Sequence, residues 1–181
     1  EKVSGTKPIV VLLPGIMGSN IYSSKNKLWL NYWGIIGGNL TQMGTQPNAT
    51  ANSVIRSSYE KINKQLQYSY DVVIFPFDWR KPMNLLAADL DKKIQELLKF
   101  KQPIKIVGHS MGGVLVRDFM VYHPTTWETL NKSEGFKLLF LGSPLLGSHR
   151  ILTVLFGLDG IIKKLSFLDI HHSKKELVEV F

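Results

Sequence analysis

One serine in this chain stands where its hydroxyl could act as a nucleophile. Gly108-His109-Ser110-Met111-Gly112-Gly113 carries the spacing G-x-S-x-G. A β-branched run, Ile104 to Val107, leads into it, and Val114 to Tyr122 continues as a helix. Gly108 and Gly112 have no Cβ, so strand and helix can close tightly around a sharply bent serine. The bend, a nucleophile elbow, lifts the Ser110 hydroxyl clear of the sheet edge. The Met111 amide opens the helix and points its N–H at the oxygen of an attacked carbonyl. The chemistry is covalent: a serine that takes up an acyl group and passes it on. Two glycines and a serine alone make an ordinary turn; the flanking strand and helix give the pattern its meaning.

A second oxyanion donor is expected at another strand end. Ile9-Val10-Val11-Leu12-Leu13 is an unbroken apolar run of the kind buried on both faces of a parallel sheet. Pro14-Gly15-Ile16-Met17-Gly18-Ser19 follows at once. Such a turn sets main-chain N–H groups above the carboxyl edge, and by position the Ile16 amide is assigned as the partner of Met111. The alternative is a plain Pro-Gly turn, which the elbow downstream disfavours.

Other elements must hold these loops at one edge. Ser57-x-x-Glu60 reads as a capping box opening a helix that buries Tyr59, Ile62 and Leu66, with Glu60 and Lys64 as an i,i+4 pair. Asp71 to Phe77 is a second buried strand, closed by Asp78-Trp79-Arg80. Asp78 is read as a cap or a partner of Arg80 rather than as a functional acid. Leu86, Leu90, Ile94 and Leu97 recur at helical spacing, so Pro82 to Phe100 is an amphipathic helix with Asp91, Lys92, Lys93 and Glu96 on its solvated side. Pro103 starts the strand into Ser110, and His123-Pro124 ends the helix after it. Lys137 to Leu141 is a fourth strand. The alternation predicts an α/β fold: a mostly parallel sheet with helices on both faces, a three-layer sandwich. All four strands then deliver their loops to the edge where such folds bind ligands.

Leu28 to Gly38 follows neither period. Trp29 and Trp33 are candidates for substrate contact on an acyl-binding flap; the alternative is a loop pinned into the core. Thr41 to Ser53 is polar and turn-rich, the segment expected to be most mobile.

At 181 residues, 44% hydrophobic and 20% charged, the chain has the size and composition of one globular domain. It has no cysteine, which excludes disulfides, thiol nucleophiles and cysteine metal sites, and nothing calls for a metal or cofactor. Lys and Arg number 22 against 14 Asp and Glu, a formal net charge of +8. That excess favours anionic surfaces. With no nucleic-acid motif, a lipid surface is the better partner, although a solvated lysine face is the plainer reading. No apolar run approaches the ~20 residues a spanning helix needs. The opening Glu1-Lys2-Val3-Ser4-Gly5 reads as part of something longer. Compartment and oligomeric state are not legible.

Together these residues resemble an α/β-hydrolase of the lipase type and, more narrowly, the lecithin:cholesterol acyltransferase-like family. The resemblance rests on Leu13 to Ser19, Leu28-Trp29-Leu30, Phe77-Asp78-Trp79-Arg80 and Gly108 to Gly113. Gly142-Ser143-Pro144 followed by Gly147-Ser148 also fits, with serine where that family more often has threonine. It covers roughly residues 8 to 150 and implies acyl transfer from a lipid-like ester to water or an alcohol through an acyl-serine.

It also calls for an acid and then a histidine on later strand-end loops. After Ser148 nothing reads as a strand; Leu158, Ile161, Ile162, Leu165 and Leu168 repeat at helical spacing, with Lys163 and Lys164 among them. We therefore expect residues 1–149 to be the N-terminal part of a hydrolase core and 150–181 a helical lid-like segment cut short. The sheet would be incomplete at the C-terminus, with acid and base beyond Phe181 and the fragment feeble or inactive. The five histidines read more readily as structural residues than as the base, with His149 and the pair His171 and His172 as the alternatives. His109 is the pattern's variable residue, His123 a helix end, and His149 a lid hinge. His171 and His172 share one loop with Asp169, whereas acid and base normally come from two. Asp118 reads as structural. Competing readings are a non-catalytic binding or scaffold domain, and a peptidase or thioesterase on the same scaffold.

Overall fold

The structure is a computed structural model and describes residues 3–180 apart from 25, 46, 47 and 170. In chain order it contains β1 (Ile9–Leu13), β2 (Ser19–Ser23), β3 (Asn26–Trp29), α1 (Tyr32–Ile36), α2 (Gln42–Thr45) and β4 (Thr50–Val54). There follow α3 (Arg56–Gln67), β5 (Asp71–Ile74), α4 (Met83–Leu98), β6 (Ile104–His109) and α5 (Met111–Tyr122). The last elements are α6 (Pro124–Asn131), β7 (Lys137–Leu141), α7 (His149–Leu155), α8 (Gly160–Leu168) and α9 (Lys174–Val180). They form two compact units: Glu1–Ser19 with Ser53–Leu145, and Asn20–Asn52 with Leu146–Phe181.

The first unit is built on a parallel sheet in the order β5-β1-β6-β7. β1 is buried throughout because its apolar run serves both faces. Val10 and Leu12 pack with Val72, Val107 and Tyr59, and with Ile62 and Leu66 of α3. By strand alternation Ile9, Val11 and Leu13 turn to the opposite face. There α4 and α5 pack on each other and bury Leu90, Ile94, Leu115 and Phe119. The expected α/β layering is therefore the observed one. β7 is an outer strand, and its Leu139 is 52% exposed.

Local departures have local causes. The run expected as a strand to Phe77 pairs only to Ile74. Phe75 still donates its N–H to the Leu12 carbonyl at 2.9 Å, but Pro76 has no N–H to continue the ladder. The capping box at Ser57 does not form. The helix starts at Arg56, with Ile55 rather than Ser57 at the cap, and the Glu60 carboxylate is taken by Arg56 and Lys64, each at 2.9 Å. Those hydrogen bonds, from Arg56 and then Lys64, lower its pKa to about 2. Asp91, expected in solvent, is mostly covered and lies 3.4 Å from His123. The cause is α6, which Pro124 opens at its first turn and which packs against α4 and α5.

In the second unit β3, β2 and β4 form a small sheet, with β2 and β3 antiparallel. The stretch expected to lack regular structure thus holds β3 and α1, the latter capped by Asn31, which accepts the Gly34 N–H at 3.2 Å. The segment expected to be mobile carries α2 and β4; its residues 46 and 47 lie outside the described residues. α8 packs on α1 and α9, burying Ile35, Ile162, Leu165 and Leu177. It begins under Asp159, which accepts the Ile161 N–H at 2.8 Å and pairs with Arg150 at 2.7 Å. Among the described residues, no helix is long and apolar enough to cross a membrane.

Candidate active site

Leu13 of β1 lies opposite Gly108 of β6, so the loops leaving these two strands start side by side at the carboxyl edge. Ser110 has φ 51° and ψ −122°, a conformation that L-residues avoid at a cost on the order of 1–3 kcal/mol. Its neighbours impose it. The Ser110 N–H donates to the Leu141 carbonyl at 2.9 Å, and the Gly113 N–H to the Ser110 carbonyl at 3.0 Å. The Ser143 hydroxyl donates to the Gly108 carbonyl at 3.1 Å, so the Gly142-Ser143-Pro144 stretch buttresses the bend. A Cβ on Gly108 would lie 2.8 Å from the Gly113 Cα. Met111 holds the first position of α5, where its N–H has no acceptor within the helix. Ser110 is half-buried, and among the described residues no side chain hydrogen-bonds its hydroxyl.

The loop after β1 closes on the same spot. The Gly18 N–H donates to the Gly15 carbonyl at 3.0 Å, with Ile16 and Met17 at the corners of the turn. Met17 takes φ 58°, the positive value a type II turn requires there. A Cβ on Gly15 would lie 2.9 Å from the Ser110 Cβ and 3.1 Å from His109 Nδ1. The loops bearing Ile16 and Met111 therefore meet at Ser110. Strained backbone at two adjoining loops is a mark of functional sites.

Tyr59 joins the two loops. The Gly15 N–H donates to its hydroxyl at 2.7 Å, and that hydroxyl is 2.8 Å from His109 Nδ1. The phenol meets the imidazole edge-on, with centroids 5.8 Å apart. Burial raises the Tyr59 pKa, so it keeps its proton. Sequence reasoning counted Tyr59 only as apolar helix face; its one distinguishing mark was a polar tip, which a buried tyrosine must satisfy.

The other candidates divide between the two units. Trp29, at the end of β3, is 3% exposed, whereas Trp33 on α1 is 84% exposed; both belong to the second unit. Asp78 is buried and receives Arg80 Nε at 2.8 Å and Nη2 at 2.7 Å, the pairing expected of it. His123 pairs with Asp91 at the far end of α5, roughly 18 Å along the axis from Ser110. Asp118 lies 3.6 Å from Arg117. His149, His171 and His172 are in the second unit, where His172 Nδ1 is 3.0 Å from the Asp169 carboxylate.

Comparison with protein-family models matches residues 57–178, more than half of the chain, to the family described as lecithin:cholesterol acyltransferase. The matched span takes in Asp78-Trp79-Arg80, the Ser110 bend and Gly142-Ser143-Pro144, and leaves out the loop after β1 and both candidate tryptophans. Among curated proteins, none matches the chain at a significant level. With a parallel α/β sheet of the hydrolase kind and this match over most of its length, the chain belongs to the lecithin:cholesterol acyltransferase family.

Proposed function

We propose that this chain carries the nucleophile of a lipid acyl transfer or ester hydrolysis. Family membership supplies the class, acyltransferase or esterase chemistry on lipids. The observation that carries the finer reading is Ser110 at φ 51° between strand and helix, with Gly15 packed against it. Ser110 Oγ attacks the ester carbonyl carbon and gives its proton to a base. The carbonyl electron pair moves onto oxygen, where the amides of Ile16 and Met111 hold it. Collapse of the adduct expels the alcohol, and the acyl-serine is then cleaved by water or a second alcohol. Among the described residues no base is hydrogen-bonded to the Ser110 hydroxyl.

Labelling of the full-length protein with a fluorophosphonate tests the reading. The adduct is expected on the peptide bearing Ser110 and on no other serine. A folded full-length protein that takes no label there would favour a binding or scaffold role.

The lipid-facing part of the proposal rests on the second unit. Residues 150–181 are assigned as its lid-like, lipid-contacting segment. α7 exposes Ile151, Leu152 and Leu155, and α8 presents Phe167, 85% exposed, beside Lys163 and Lys164. A basic helix with exposed apolar side chains binds anionic interfaces; Trp33, on α1 of the same unit, adds an exposed aromatic ring. Co-sedimentation with phosphatidylserine-containing vesicles is expected to exceed that with neutral vesicles several-fold and to fall in Phe167→Ser. Binding indifferent to lipid charge would remove this part of the proposal.

A further inference from the structure

We infer that Tyr59 is a positioning residue for the reaction: through Gly15 and His109 it decides which main-chain amide of the loop after β1 is left to meet the substrate oxygen. The inference rests on reading Ser110 as the nucleophile.

Hydrogen-bond accounting in the loop makes the case. The Gly15 N–H is taken by the Tyr59 hydroxyl at 2.7 Å, and the Gly18 N–H by the Gly15 carbonyl at 3.0 Å. Ile16 is the next amide along, and among the described residues its N–H donates to nothing. The loop thus uses the amides of Gly15 and Gly18 internally and leaves that of Ile16 without an acceptor among the described residues. Tyr59 creates this asymmetry. Its hydroxyl sits in the hollow of the turn, where a Cβ on Gly18 would lie 2.9 Å from it.

The same hydroxyl ties the turn to the bend. A phenol has one proton and, once it has accepted the Gly15 N–H, that proton needs an acceptor. His109 Nδ1 stands 2.8 Å away. The phenol therefore donates to Nδ1, and the imidazole carries its own proton on Nε2. The chain Gly15 N–H to Tyr59 O–H to His109 Nδ1 holds the residue beside Ile16 and the residue before Ser110 at a fixed separation. The ring itself needs no hydroxyl, since it packs among Val10, Leu12, Val72 and Val107, as a phenylalanine would. Without the hydroxyl, the Gly15 N–H is buried without an acceptor. Gly15, having no Cβ, then offers little resistance to rotation of that peptide, and the Ile16 N–H turns with it.

Tyr59→Phe in the full-length protein tests this with p-nitrophenyl butyrate as the probe ester. We expect kcat and the rate of fluorophosphonate labelling to fall together by about ten- to a hundred-fold, with KM within about two-fold. A residue that merely packs would leave this kcat-against-KM split unmoved. Nitrogen NMR of histidine-labelled protein supplies a readout independent of activity. His109 should show an unprotonated, hydrogen-bonded Nδ1 in the wild type and lose that signature in Tyr59→Phe. Wild-type labelling at Ser110 with an unimpaired Tyr59→Phe overturns the inference and leaves the nucleophile standing. Failure of the wild type to label removes both. Should Tyr59→Phe not fold, the wild-type spectrum decides: a protonated Nδ1 overturns the inference, and an unprotonated one supports it.

Discussion

Ser110→Ala in the full-length protein is expected to lower ester turnover by about 10⁴-fold or more, because on the proposed function it removes the nucleophile and leaves only oxyanion binding and substrate positioning. The substitution removes one oxygen and keeps the Cβ, so melting temperature should hardly change. Ser110→Gly makes the sharper comparison. It is equally inactive, but glycine adopts φ 51° without penalty. Relief of about 1–3 kcal/mol of strain opposes the ~0.5–1 kcal/mol that glycine costs in unfolded-chain entropy. Ser110→Gly should therefore melt above both the wild type and Ser110→Ala, by about 2–4 °C for each net kcal/mol. Calorimetry on the three proteins reads this directly. A Ser110→Gly that melts lowest would mean that the bend stores no strain, and the main structural argument for a poised hydroxyl would go with it.

Gly112→Ala is the second large effect, and it acts on the fold. An added Cβ would lie 2.5 Å from the Pro14 carbonyl oxygen, 2.8 Å from that of Leu13 and 2.9 Å from the Leu13 Cβ. Two of these contacts are with main chain at the end of β1, an interior strand paired on both sides, which cannot swing aside. Overpacking costs typically 1–3 kcal/mol, and rigid partners place this case at the upper end. A loss of about 3 kcal/mol lowers the melting temperature by about 6–12 °C. Displacement of α5 also carries Met111 away, so labelling of Ser110 should fall even at temperatures where the variant is folded. Gly44→Ala is the control. Gly44 lies in α2 with open space around it, and its substitution should be neutral or mildly stabilising. Circular-dichroism melts of the two variants that coincide would show that the contact between α5 and β1 is looser than these distances require.

The sheet of the first unit was legible because its strands announce themselves as short, nearly continuous apolar runs. Ile9–Leu13 and Lys137–Leu141 could be bounded to the residue, and Gly108 and Gly112 marked the bend between β6 and α5. β2 and β4 were not legible. Ser-Asn-Ile-Tyr-Ser and Thr-Ala-Asn-Ser-Val carry little apolar periodicity, and their pairing is decided by partners distant in sequence. α6 was hidden because Pro124 both ends one helix and opens the next, and missing it placed Asp91 on the wrong side. Ser57 illustrates competition: the capping pattern was present, but Arg56 offered Glu60 a stronger partner. Tyr59 was invisible as a site residue because a hydrophobic count records its ring, whereas its role lies in the reach of one oxygen to two loops 44 and 50 positions away. The tryptophans could not be told apart from sequence, because burial of Trp29 and exposure of Trp33 follow from where β3 ends and α1 begins.

β7 bears on how the protein behaves in the test tube. Its sequence, Lys-Leu-Leu-Phe-Leu, bonds to β6 on one side, and among the described residues no strand lies on the other. An apolar border with idle main-chain donors and acceptors is a template for recruiting a further ladder from another molecule. A strand of that composition at a sheet border is the place in this fold where pairing with a second molecule would begin.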